Sequence, residues 1–115
     1  MTTAAQRPSI RDRIRPIEAR ETVLSAHFLG AEAMLVLASG EIVLAAEDDR
    51  RMPLHEGGIL DAACDGSVLL TGGDDGLVLA FDRKGVLRRI HDSGGTWIDR
   101  VALGPNAAMA WSAGR

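Results

Sequence analysis

The chain has 115 residues, 46% of them hydrophobic and 25% charged, with a net charge of −3 and a single cysteine. That length holds one domain at most. The mild acidity argues against a nucleic-acid binder, which needs a basic face to neutralise phosphates, and one cysteine excludes both an internal disulfide and a cysteine-rich zinc site.

Residues 1–20 read as an N-terminal arm. Arg7, Arg11, Arg13, Arg15 and Arg20 cluster there, diluted by Asp12 and Glu18, as in a solvated basic segment. No apolar run followed by a cleavage site occurs in the first thirty residues, and no stretch approaches the length of a membrane span. A cytoplasmic protein with no membrane partner is expected, with Cys64 a small buried hydrophobe.

From residue 21 onward the chain repeats. Gly30→Gly66, Gly40→Gly76 and His55→His91 are each 36 positions apart, and Gly66→Gly104 and Gly76→Gly114 are each 38. Such a period marks a repeat architecture, with units at about 21–54, 55–90 and 91–115. In the second unit "GILDAAC" leads to an Asp65-Gly66 turn, "SVLLTG", an Asp75-Gly76 turn, "LVLAFD", a Lys84-Gly85 turn and "VLRRI". Asp-Gly between apolar runs predicts hairpins with type I′ turns, which need positive φ at both central residues. Val68–Leu70 and Leu77–Phe81 lack polar alternation, so these strands are expected to be buried on both faces. "VLRRI" carries charge, as an outer edge strand should. Four antiparallel strands per period, with helical periodicity nowhere, predict an all-β fold of propeller blades, about two and a half of them. "AEDDRR", residues 46–51, reads as a solvated loop.

The second unit resembles a WD-repeat β-propeller. His55, Thr71, Asp75 and Phe81-Asp82 occupy the places of that family's histidine, hydroxyl, turn aspartate and tryptophan-aspartate pair. The resemblance implies a structural hydrogen-bond set of His55, Thr71, Asp75 and Asp82, incomplete because Phe81 has no N–H to donate. The other units depart further: Ser39 and Ala113 replace the turn aspartate, and Ala45-Ala46 stand where the pair would be. The resemblance also implies that residues 9–19 supply the outer strand of the last blade. It further implies that the ring is incomplete in 115 residues and that the gene continues to a seven-bladed disc of about 300 residues.

The glycine-rich stretch 71–85 lacks the pattern of a phosphate-binding loop and the carboxylate spacing of a calcium loop. "HDSGG", residues 91–95, resembles the nucleophile segment of chymotrypsin-like proteases. Ser93 and His27 lie too close in sequence for that fold, and a triad is recognised by geometry. His91 is expected to cap a strand junction as His55 does, and Trp97 and Trp111 to fill core between units. With no catalytic, cofactor or metal constellation, the expectation is a non-enzymatic scaffold for a protein or peptide partner. Its partner-facing loops would hold Glu47, Asp48, Asp49, Asp74, Asp92 and Ser93, within 47–51, 74–75 and 91–96. A quinoprotein-like propeller, either a pyrroloquinoline quinone-dependent dehydrogenase or an envelope assembly factor, is the alternative, since "DDGLVLAFDRKG" also resembles its repeat.

Overall fold

The computed structural model describes residues 14–46 and 48–114. Ten strands run in chain order: β1 (Val23–Leu29), β2 (Glu32–Leu37), β3 (Glu41–Ala45), β4 (Asp49–Pro53), β5 (Ile59–Cys64), β6 (Val68–Gly73), β7 (Leu77–Asp82), β8 (Leu87–Asp92), β9 (Ile98–Leu103) and β10 (Met109–Ala113). They form two four-stranded sheets, β1-β2-β3-β4 and β5-β6-β7-β8, and a two-stranded sheet of β9 and β10. Every pairing is antiparallel and joins neighbours in sequence. The fold is all-β; among the described residues the only helical turn is 3-10, at Pro105–Ala107.

The sheets stack through two apolar layers. Met34, Val36, Ile42 and Leu44 of the first sheet meet Leu69, Leu79 and Phe81 of the second. On the other face of the second sheet, Leu70, Val78 and Ala80 meet Ile98 and Val101 of the third. Side chains alternate along a strand, so β6 and β7 send odd residues to one layer and even residues to the other. This explains their unbroken apolar runs. Burying Phe81 alone stabilises by about 1.5–3 kcal/mol.

Charge marks the outer strands. β4 carries Asp49, Arg50, Arg51 and Pro53, and β8 carries Arg88, Arg89 and Asp92; both are largely exposed. Charges and proline protect an open edge from pairing with another chain. The run 46–51 is therefore not simply a loop: its second half is an edge strand, whose solvated flank tolerates charge.

The first strand of each sheet carries the same irregularity. The registers step over Leu24 between Val23 and Ser25, over Leu60 between Ile59 and Asp61, and over Asp99 between Ile98 and Arg100. A bulge bends its strand and sharpens its twist. Its recurrence shows that the sequence period is a structural one.

The turns correct one expectation. Gly66, Gly76 and Gly85 have positive φ, but the preceding Asp65, Asp75 and Lys84 do not, so none of the expected turns is type I′. Gly76 and Gly85 N–H, like Gly40 N–H in the first sheet, donate to the carbonyl three residues earlier, on Gly73, Asp82 and Leu37 respectively. These are turns closed by one left-handed glycine, the three-residue hairpin solution, and not type I′.

Alternating strand direction sorts the turns by end. The β1–β2, β3–β4, β5–β6, β7–β8 and β9–β10 connections lie at one end of the stack, which Gly30 N–H donating to Gly66 O (2.7 Å) ties together. The β2–β3, β4–β5, β6–β7 and β8–β9 connections lie at the other, tied by Ile59 N–H to Ala38 O and by Ser93 N–H to Gly76 O. Residues 14–20 form no strand. Arg15 pairs with Asp49, and Arg51 donates to the carbonyls of Glu18 and Ala19. Of the expected closing strand, residues 9–19, residues 9–13 lie outside the described residues, and residues 14–19 do not form it. No described helix is long and apolar enough to cross a membrane.

Candidate functional site

The most organised polar cluster lies where β4 hands over to the second sheet. Leu54 and His55 N–H both donate to Gly40 O (2.9 and 3.1 Å), which pins the connection against the β2–β3 turn. Gly40 is required there: a Cβ would lie 2.2 Å from Gly57 O, and its φ is +106°. The anchored backbone projects the His55 side chain, wholly buried, into the second sheet.

There the ring bridges two elements. Nδ1 lies 2.9 Å from Asp75 Oδ1, and Nε2 lies 2.7 Å from Thr71 Oγ1. A carboxylate only accepts, so Nδ1 carries the proton, and Nε2 accepts from the Thr71 hydroxyl. Asp75 Oδ1 also accepts from Leu77 N–H (3.1 Å), fixing the turn into β7. No described buried side-chain nitrogen or oxygen lacks a partner. These bonds bring together His55, Thr71 and Asp75 of the expected set.

Asp82 stands apart. Its carboxylate accepts from Lys84 N–H (2.9 Å) and Val86 N–H (3.0 Å), closing the β7–β8 turn. The Val86 amide is the main reason its carboxyl is held below the usual aspartate range. Phe81, its neighbour, is core and offers no donor to tie Asp82 to the buried set.

Two glycines belong to the site and carried no clear sequence signal. A Cβ on Gly73 would lie 2.5 Å from His55 Nδ1 and 2.6 Å from Asp75 Oδ1, so the His55–Asp75 hydrogen bond passes over a bare backbone. A Cβ on Gly72 would lie 2.5 Å from Ile98 Cγ2, so this position admits the third sheet. "TGG" directly after an apolar run was the available hint, since glycine inside a strand marks close approach.

The order hydroxyl, imidazole, carboxylate is also that of a catalytic triad. Thr71, however, is only 1% exposed, and it lines none of the described clefts. A nucleophile must reach its substrate. This hydroxyl is enclosed by packing.

The remaining expected residues are dispersed. Asp74 clasps Gly58, its Oδ1 accepting from Gly58 N–H (3.0 Å) while its own N–H donates to Gly58 O (3.0 Å). Asp92 accepts from Gly94 N–H, and the single Ser93 O–H is shared between the carbonyls of Gly76 and Thr96. These three build turns and are not free loop side chains. Asp48 is exposed, Asp49 pairs with Arg15, and Glu47 lies outside the described residues. The Asp48–Asp49 segment and the Asp74 and Asp92–Ser93 turns lie at opposite ends of the stack, so they form no common face.

Three other expectations fail. His91 sits within β8, exposed, its ring 5.3 Å from that of Trp111, and it has no counterpart of the His55 bonds. The strand simply runs past the predicted junction. Trp97 and Trp111 are 43% and 36% exposed and fill no core between sheets, because the third sheet packs through Ile98 and Val101. Cys64 is half-buried, its thiol 3.4 Å from Phe28 O. His27 pairs with Ser25 Oγ at 2.8 Å, and partial burial lowers its pKa. No group of three or more metal-capable side chains occurs among the described residues. No family model, curated protein or solved structure matches the chain at a significant level.

Proposed function

We propose that the two four-stranded sheets are blades of a β-propeller of the WD-repeat type, and that the protein is a non-enzymatic scaffold for a protein partner. The observation that carries the reading is the Thr71–His55–Asp75 chain. It uses the side chains of a hydroxyl, a histidine and a turn aspartate to lock a blade to the connection entering it. The stacked meanders and the recurring bulge support the same architecture. Enclosure of this triad-like set favours rigidity over chemistry as its purpose. A rigid stack presents its turns as a fixed surface, where binding residues concentrate. The lone thiol suits a reducing compartment, so the proposed setting is the cytoplasm.

Affinity capture from cells making the tagged protein tests the reading. A partner should be retained in near-stoichiometric amount, survive exchange into purified components, and be lost when exposed turn residues are substituted without loss of folding. Failure to reconstitute any complex, or turnover of a substrate by the purified protein, would overturn it.

A further inference from the structure

The end of the stack that carries Gly30 and Gly66 holds a cleft of about 330 Å³, framed by the β1–β2 turn, the start of β4 and the β7–β8 turn. Its floor is apolar, made by Leu29, Leu44 and Phe81, each largely buried. Its rim holds Arg50, Arg83 and Lys84, none of which makes an ion pair among the described residues. Two carboxylates, Glu32 and Asp82, also line it, so three cations face two anions. In a chain of net charge −3, this is a local excess of positive charge around an apolar floor.

Arg83 is exposed and lies beside the β1–β2 turn. Its guanidinium lies over Gly30, where a Cβ would come within 2.7 Å of Nε. Gly30 is itself anchored by its bond to Gly66 O.

We propose that this cleft binds an acidic peptide segment, a large aliphatic side chain seated on the floor between carboxylates that meet Arg50, Arg83 and Lys84. The proposal deepens the scaffold reading and rests on it for the ligand being a protein segment. A phosphoryl group fits less well, because phosphate cradles use free backbone amides. Here the Lys84, Gly85 and Val86 amides already bond to Asp82. A nucleic-acid strand would need basic surface beyond this cleft, which the overall charge does not supply.

The test is fluorescence anisotropy of a fluorescein-labelled Glu-Glu-Leu-Glu-Glu peptide titrated with the protein at low and physiological salt. Binding should weaken with salt and fall at least tenfold in an Arg83→Glu, Lys84→Glu double variant and in Arg50→Glu. Circular dichroism serves as the folding control for these exposed positions. A Gln-Gln-Leu-Gln-Gln peptide should not bind, and Glu-Glu-Ser-Glu-Glu should bind several-fold more weakly. No binding, undiminished binding to the folded variants, indifference to the leucine, displacement by equimolar inorganic phosphate, or tighter binding of a single-stranded oligonucleotide would each overturn the proposal. If captured partners persist while the peptide fails, the cleft is wrong and the scaffold reading stands. If the peptide binds but no complex can be reconstituted, the scaffold reading fails by itself.

Discussion

Replacing Asp75 by alanine isolates the buried junction. The carboxylate accepts from His55 Nδ1 at 2.9 Å and from Leu77 N–H at 3.1 Å. His55 has no exposed side-chain surface, so its Nδ1–H is orphaned away from water. Orphaning such a donor costs about 1–3 kcal/mol. Leu77 is half-buried, and water satisfies its amide at lower cost. The expected loss is therefore about 2 kcal/mol, near the middle of that range. With a urea m-value of about 2 kcal/mol/M, the unfolding midpoint falls by about 1 M while m stays constant. Thr71→Val should cost less, since it leaves a ring nitrogen acceptor and not an N–H donor without a partner, and the double variant should fall short of additivity because both changes act through one ring. Urea titration followed by circular dichroism reads all three. An Asp75→Ala midpoint within error of the wild type would refute the reasoning, as would full additivity with Thr71→Val.

Gly73→Ala should destabilise by about 1–3 kcal/mol by overpacking, and much less in a His55→Ala background, where the ring that the methyl meets is gone; equal costs in both backgrounds would place the strain elsewhere. Stability should also decline toward acid in two stages, read by thermal melts across pH. His27 has a folded pKa below its ordinary 6.5 through burial, so the unfolded chain binds the proton first and stability is lost as pH falls below that value. Asp65, held low chiefly by Ser67 N–H, and Asp82, chiefly by Val86 N–H, lose their contribution as pH falls below the ordinary 3.8. His27→Gln should abolish the upper stage and leave the lower; an unchanged upper stage would assign it to another group. Ser93 is expected to resist an active-serine phosphonate, because its hydroxyl is spent on two carbonyls. Ser93→Ala should instead cost about 0.5–1.5 kcal/mol, and covalent labelling seen by mass spectrometry would contradict this.

Local signals determined a good deal by themselves. Apolar runs bounded by Asp-Gly and Lys-Gly are readable along the chain, and they place β6, β7 and the positions of their turns, though not the turn type, because strand and turn preferences act over a few residues. A resemblance tied His55 to Thr71 and Asp75, and those three side chains do meet. The spacing of 36 misled at His91. A period shows that units recur, not that each copy keeps its bonds, and unit three has no turn aspartate for that ring to reach. Asp82 was grouped with the set by its neighbourhood to Phe81, whereas the β7–β8 turn amides claim its carboxylate. Tertiary structure alone decided which layer each residue of β6 and β7 enters, and that Trp97 and Trp111 stay exposed while Ile98 and Val101 take the inter-sheet position. It alone put Gly72 and Gly73 where Ile98 and the His55–Asp75 pair leave no room for a methyl. It also split the acidic turns between two ends and gathered Arg50, Arg83 and Lys84 around one apolar floor. Such facts depend on which residues distant in sequence approach one another, and that is set by how the sheets stack, which no short window of the chain contains.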